Sequence, residues 1–377
     1  LEVAGRLDRL RALLAEGDDG GTVGGLLVTA PANIRWLTGF GGSAGLLLVT
    51  PDRALLATDG RYRTQSSEQL AEAGVAGQVE VAIGGIQAQR EALRQGADGV
   101  AHLGLEADHV TWSGQRSWAE VFTPSSLRPT RGLVERLRVV KDPGEVARMA
   151  RAASIADEAL AAVLPLLAAA GASGGGTTGR DLTESRFAAA LDHAMRERGA
   201  EDRAFETIVA SGENSAKPHA RPGRRSIRPG DPVVVDFGAV FDGYRSDMTR
   251  TFCVGGPPTG ALATVFEVVA ESQRLGVARV EPGVTAGSVD AACRDAIAAS
   301  GWADRFEHGT GHGVGLDIHE GPSVGPGSTA ILVPGTVVTV EPGVYLPGTG
   351  GVRIEDTLVV TDLGSRSLTQ FPKEVAV

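Results

Sequence analysis

Three consecutive valines, Val233 to Val235, run directly into Asp236. Such an apolar run implies a buried strand, where a lone ionised carboxylate would cost several kcal/mol or take up a proton, so Asp236 needs a partner. Asp247 lies across the hairpin that follows, in Arg245-Ser246-Asp247-Met248-Thr249, at the start of the returning strand. Taken alone, either aspartate reads as readily as a structural residue, capping a turn or paired with Arg250, as it does as a functional one. Glu341 ends the run Val337 to Val340 immediately before Pro342-Gly343, where a strand must stop. Glu355 follows Arg353 by two residues, which on one strand puts both side chains on the same face. An ion pair between those two would account for one carboxylate and leave three.

Three of the seven histidines, His308, His312 and His319, fall within one short segment, His308-Gly309-Thr310-Gly311-His312-Gly313-Val314-Gly315-Leu316-Asp317-Ile318-His319. Two histidines four apart could face one way on a helix, but glycines at 309, 311, 313 and 315 oppose helix. The segment is expected to be a loop, or a strand with close backbone approach. Four semi-buried carboxylates with an imidazole form a hard, multiply negative site suited to two divalent ions. Manganese or cobalt fits that donor set better than zinc, although zinc competes by intrinsic affinity. Such a pair bridges a water, lowers its pKa toward neutrality and polarises a carbonyl oxygen, which is the chemistry of hydrolysis.

The elements that must position these residues read as a duplication. Asp142-Pro143-Gly144-Glu145 is a helix start, with an Asp cap, Pro at the first helical position and Glu three residues after the cap. Behind it Val146, Met149, Ala153, Ala156, Leu160, Val163 and Leu167 form one apolar stripe, with Pro165 placed to kink the last turn. The glycine-rich stretch Gly171 to Gly176 ends this helix, 143–169, and a second helix covers 182–198. Val233 to Val235 follows, then a turn from Gly238 to Gly243 and a strand from Met248 to Val254. The order repeats as helices near Leu262 to Val280 and Ser288 to Ser300, the strand Val337 to Val340, a glycine-rich turn, and Val352 to Val360. Each half is two helices and two strands, and each strand pair carries two carboxylates.

The first third alternates short apolar runs (Leu26 to Val28, Gly45 to Val49, Ala54 to Ala57) with turn residues, and helices at Leu1 to Ala15 and Gln87 to Gln95 flank the small sheet. The pattern loosens around Ser125 to Arg138, which sets the boundary between domains at 1–131 and 132–377. Two domains also suit a chain of 377 residues. A formal charge of −10 argues against a sequence-independent grip on nucleic acid. Cys253 and Cys293 are too few to staple the chain and read as reduced thiols in a cytoplasmic protein. The start carries no basic region followed by an apolar run, and no apolar stretch is expected to reach the ~20 residues that span a bilayer, so no membrane partner is expected.

The segments VVVDFGAVFDGYRSDMTRTF, HGTGHGVGLDIHE, VVTVEPGVY and GGVRIEDTLVV, in this order and spacing, resemble the pita-bread metallopeptidases, and within them the proline-specific branch of aminopeptidase P and Xaa-Pro dipeptidase (prolidase). The resemblance runs over essentially the whole chain, since residues 1 to about 131, including Thr58-Asp59-Gly60-Arg61-Tyr62, resemble the creatinase-type N-terminal domain. It implies an α/β (α+β) fold, with a pita-bread catalytic domain and a smaller creatinase-type N-terminal α/β domain.

By the same resemblance Asp236, Asp247, His312, Glu341 and Glu355 are the metal ligands, Asp247 and Glu355 bridging two ions, Asp236 completing one site and His312 with Glu341 the other. Glu341 would also take the proton from the attacking water. His219, in Asn214-Ser215-Ala216-Lys217-Pro218-His219, matches an active-site histidine, and His319 one that stabilises the tetrahedral intermediate. His308 would line the proline pocket, and Arg353 would hold a ligand carboxylate or the substrate's own. The implied partners are a proline-containing peptide and a second copy of the chain in a homodimer. Two alternatives share the fold: a methionine aminopeptidase, against which the N-terminal domain and the matches of His308 and Arg353 stand, and a binding protein without turnover, against which the intact ligand set and His219 stand.

Overall fold

In the computed structural model, which describes residues 1–17, 21–172, 181–373 and 376–377, the chain divides into two compact units, Leu1–Arg138 and Val139–Val377. The first carries a six-stranded sheet of β1 (Gly25–Val28), β2 (Gly45–Val49), β3 (Ala54–Thr58), β4 (Glu80–Ile83), β5 (His102–Glu106) and β6 (Ser126–Thr130), in the order β4-β3-β2-β1-β5-β6. Its helices are α1 (Arg6–Glu16), α2 (Pro31–Thr38), α3 (Arg63–Glu72), α4 (Ile86–Gly96), α5 (Trp112–Phe122) and α6 (Leu133–Arg138). Leu27, Leu48, Leu55, Leu93, Leu103 and Phe122 are buried together in its core. The stretch around 125 to 138, where the sequence pattern loosens, holds β6 and α6, and the division between units falls after Arg138 because α6 packs on α1 and α2.

The second unit opens with α7 (Pro143–Ala172). Asp142 and Glu145 make a reciprocal cap: Glu145 N–H donates to Asp142 Oδ1 at 2.8 Å, and Asp142 N–H to a carboxylate oxygen of Glu145 at 3.0 Å. Met149, Ala153, Ala156, Leu160, Val163 and Leu167 of the apolar stripe are buried, with Val146 half-buried. Pro165 lies inside α7, which continues to Ala172; residues 173–176 of the glycine-rich stretch lie outside the described residues. By length and composition alone α7 also meets the minimum for a membrane-crossing helix. Its buried stripe instead packs in the core of this unit.

After α7 come α8 (Glu184–Glu197), β7 (Asp202–Arg203), β8 (Ile208–Ser211), β9 (Pro232–Phe237), β10 (Ala239–Phe241), β11 (Tyr244–Arg245) and β12 (Met248–Cys253). The second half supplies α9 (Ala261–Arg279), α10 (Ala286–Ala299), β13 (Gly311–Gly313), β14 (Glu320–Val324), β15 (Val337–Val340), β16 (Gly343–Leu346), β17 (Gly350–Arg353), β18 (Asp356–Thr361) and β19 (Gly364–Ser367). β12-β9-β8 form one sheet and β14-β13-β15-β18-β19 another. Each half has its own core: Phe187, Leu191, Val233, Val235 and Phe252 with the α7 stripe in one, and Val269, Val289, Ile297, Val338, Val340 and Leu358 in the other.

Two expectations need correction. The segment 238–243 is not simply a turn, because Ala239–Phe241 pairs with Tyr244–Arg245 as a tight hairpin. The strand expected from Val352 to Val360 is broken: β17 ends at Arg353 and β18 begins at Asp356, with Ile354 and Glu355 between. The break follows from different partners, since β17 pairs with β16 while β18 pairs with β15 and β19. Arg353 and Glu355 therefore do not share a strand face by alternation.

Candidate metal centre

Asp236 and Asp247 are delivered by the two ends of one hairpin. Asp236 is the penultimate residue of β9, opposite Thr249, and Asp247 immediately precedes β12. Glu355 reaches the same point from the break between β17 and β18, where its N–H donates to the carbonyl of Thr249 at 3.1 Å. One carboxylate oxygen from each of Asp236, Asp247 and Glu355 lies within 4.8 Å of the others. Glu341, one residue past β15, is fixed by its N–H donating to Thr310 O at 2.7 Å.

His312 sits on β13 between two glycines, as the glycine-rich pattern requires. A Cβ on Gly311 would run into the Thr339 carbonyl and one on Gly313 into that of Gly321, so β13 can pack between its neighbours only without side chains there. Nδ1 of His312 donates to Gly313 O at 3.0 Å, which turns Nε2 toward Glu341 Oε1 at 3.3 Å and Asp247 Oδ2 at 3.6 Å. His319 stacks edge-on against His312, with ring centroids 4.4 Å apart.

These five residues line an open cleft of about 520 Å³ together with His219, His308, His319 and Arg353. All the site residues expected from the sequence thus meet at one cleft, although His219 is exposed and lies on the loop after β8. The ion pairs offered by the sequence as alternatives do not form. Arg250 binds Asp356 at 2.8 Å rather than Asp247, and Arg353 Nη2 donates to Asp236 Oδ2 at 2.6 Å rather than to Glu355.

Sequence reasoning missed Tyr345. Its buried hydroxyl accepts from Arg353 Nη1 and donates to His308 Nε2, both at 2.9 Å, while His308 Nδ1 donates to Gly309 O at 2.8 Å. The signal was its place in Val340-Glu341-Pro342-Gly343-Val344-Tyr345, on the strand next to a ligand candidate, where a buried phenol needs polar partners. Thr249 was missed as well: its hydroxyl donates to Glu355 Oε2 at 2.7 Å and accepts from Arg353 Nε at 3.2 Å.

The electrostatics ask for cations. Burial, reinforced by Glu355 and Asp236, pushes Asp247 well above the usual carboxylate range, and burial with Glu341 and Asp236 does the same to Glu355. Asp236 is raised by burial against the opposing charge of Arg353. Burial also disfavours the charge on Glu341, but hydrogen bonding and charge from His312, with Arg353, outweigh it and hold Glu341 below its ordinary value. Burial drives His308 and His319 down, whereas the Glu341 contact overcomes burial at His312 and raises it. Asp236 Oδ1 and Glu355 Oε1 are buried without a hydrogen-bond partner among the described residues. Orphaned carboxylate oxygens beside an imidazole Nε2 fit hard divalent ions.

A stability consequence follows for the metal-free protein. Raised carboxylate pKa values mean that Asp236, Asp247 and Glu355 keep their protons to higher pH in the native state than in the unfolded chain. Their favourable contribution is present at low pH and is lost as pH rises through the raised values; Glu341 contributes with the opposite sign. The melting temperature of chelated wild type, measured relative to chelated Asp247→Asn, is expected to fall as pH rises above the ordinary carboxylate range, and added manganese to stabilise wild type more at the higher pH. A difference that stays flat, with a pH-independent metal effect, would contradict this.

Family models match both units: "Creatinase/Prolidase N-terminal domain" over residues 6–140 and "Metallopeptidase family M24" over residues 147–362. The chain is 40% identical over 373 residues to the uncharacterized peptidase YqhT of Bacillus subtilis, covering 99% of each. Among solved structures it is similar to an Xaa-Pro dipeptidase from Bacillus anthracis, with a TM-score of 0.90, 36% identity and 100% of both chains covered. An X-Pro aminopeptidase from Thermotoga maritima is similar at a TM-score of 0.84 and 30% identity, covering 99% of this chain and 100% of that one.

Proposed function

Because the chain belongs to metallopeptidase family M24, with a pita-bread catalytic unit and a creatinase-type N-terminal unit, we propose that it hydrolyses the bond between an N-terminal residue and a following proline, with divalent metal. The observation that carries this reading is the gathering of Asp236, Asp247 and Glu355, two of them with orphaned buried oxygens, in a cleft lined by His308, His319 and Arg353.

In this reading Asp236, Asp247, His312, Glu341 and Glu355 would hold two ions, manganese before cobalt or zinc. When bound, the ions supply a polarised carbonyl and a water acidified toward neutrality. Glu341 accepts the water's proton; the depressed pKa that it owes to His312 and Arg353 keeps it ionised for that task. His319, kept neutral by burial and by His312, donates a hydrogen bond to the oxygen that gains charge. His219 contacts the substrate from the loop after β8. Arg353, engaged by Asp236, Thr249, Tyr345 and Pro218 O, supports the reading in which it holds a ligand carboxylate rather than the substrate's own.

An Xaa-Pro bond is a tertiary amide without N–H, so clefts that bind substrate as a β-strand lose a donor there. A site that needs only a carbonyl, a free amine and a pocket for the ring has no use for that donor. His308, oriented by Tyr345, lines the ring pocket. The same proposal includes a homodimer, and a cytoplasmic location supported by the free, buried Cys253 and Cys293.

Steady-state assays on Ala-Pro-Ala and Ala-Ala-Ala with manganese test the specificity. The proline substrate is expected to exceed the alanine one by at least ~10² in kcat/KM, because an empty ring pocket orients the carbonyl less well. Comparable rates would move the enzyme to the general aminopeptidases, and preference for N-terminal methionine to the methionine-specific ones. Relatives named for dipeptidase and for aminopeptidase activity both match, and a parallel assay on Ala-Pro decides between them.

A further inference from the structure

Glu184 is fully buried and no part of the cleft wall. It is the first residue of α8, whose N-cap, Thr183, already accepts from Arg186 N–H. Its carboxylate is therefore free to turn elsewhere, and it faces the loop that carries His219. Oε1 accepts from Ser211 N–H and from the Ser211 hydroxyl, both at 2.8 Å, and from Asn214 Nδ2 at 3.1 Å. Oε2 accepts from Gly223 N–H at 3.0 Å. One side chain thus ties the first residue of the loop, at the end of β8, to a residue beyond His219.

The loop is anchored to the metal cluster between those two ends. Ser215 Oγ accepts from Gly351 N–H of β17 at 2.8 Å, and Pro218 O, next to His219, accepts from Arg353 Nη1 at 3.2 Å. The same guanidinium holds Asp236. Loop ends fixed by Glu184 and a tip fixed by Arg353 define where His219 stands relative to the carboxylates.

We infer that Glu184 is a positioning residue for His219: a buried carboxylate that closes the 211–223 loop and sets the register of the histidine over the cleft. This rests on the role given to His219 above. A carboxylate accepts on both oxygens, whereas a glutamine has one acceptor and presents N–H₂ at the other position. In Glu184→Gln either the Ser211 or the Gly223 end of the loop therefore faces a donor and loses that acceptor, while Ser185 N–H still donates to Gly223 O and Arg225 Nη1 to the Ser211 hydroxyl.

The test is a double-mutant cycle in the manganese-loaded full chain, with kcat and KM for Ala-Pro-Ala, bound metal and melting temperature measured for wild type, Glu184→Gln, His219→Ala and the double variant. Glu184→Gln is expected to lower kcat by about tenfold with bound metal unchanged, as misplacement of a reacting group does. In the His219→Ala background the same change is expected to cost less than about twofold, because the group it positions is gone. Equal losses in the two backgrounds, or no loss in either, would overturn the positioning role. If His219→Ala itself keeps full kcat, the assignment of His219 in the proposed function is what fails. Should Glu184→Gln lack a cooperative melt, Ser211→Ala removes one donor and leaves the carboxylate; a fall of about threefold in kcat confined to the His219 background is then expected, and an equal fall in both overturns the proposal.

Discussion

Changing Asp247 to Asn, or Glu355 to Gln, is expected to take turnover below detection while the fold survives. Each change replaces an anion at the centre of the cluster by a neutral amide of the same shape, so the attraction for divalent ions falls where it is greatest. The metal-free protein should tolerate the change, because burial and neighbouring carboxylates already press both groups toward the neutral state. Relieving that repulsion should leave the melting temperature of the chelated variant at or above that of chelated wild type at pH ~8. Metal analysis of the dialysed variants, beside activity, is the deciding measurement. Two bound ions and a wild-type rate in either variant would end the dinuclear reading.

The histidines should show a different pattern. His219→Ala and His319→Ala are each expected to lower kcat by ~10²–10³ with smaller changes in KM, as for groups that act mainly on the transition state. His319 lies against His312, so its removal also opens space beside a ligand; retained metal content in His319→Ala separates lost stabilisation from lost ligation. If both variants lost only thermal stability, the two histidines would be structural.

Local chemistry made much of this legible before any fold was seen. A buried run ending in Asp236, a strand stopped at Glu341-Pro342 and an alternation of glycine and histidine each state a constraint within a few residues. The reciprocal cap of Asp142 and Glu145 is of the same kind. Relations set by packing across the chain were not legible. Arg353 is two residues from Glu355 yet pairs with Asp236, because the strand breaks between them and the guanidinium turns toward β9. Thr249 and Glu184 were invisible for the same reason, since their partners lie far off in sequence, whereas Tyr345 was marked by its place just after Glu341-Pro342-Gly343. For the long helix α7 the periodic stripe was the informative signal, since apolar composition alone does not distinguish a core helix from a membrane-spanning one.

The two halves of the second unit keep separate hydrophobic cores, and the cluster draws Asp236 and Asp247 from one, Glu341 and Glu355 from the other. Polar contacts cross this seam as well, among them Glu355 N–H to Thr249 O, the Arg250–Asp356 pair, the Thr251 hydroxyl to Arg353 O and the Thr357 hydroxyl to Asp247 O. An ion bound by both sides is therefore a clasp as well as a reagent: its binding free energy opposes parting of the halves and so becomes unfolding cooperativity. Stripped of metal, the halves keep these hydrogen bonds but lose that contribution, and the calorimetric transition should move to lower temperature. A shortage of metal would then lower the stability of the protein as well as its turnover.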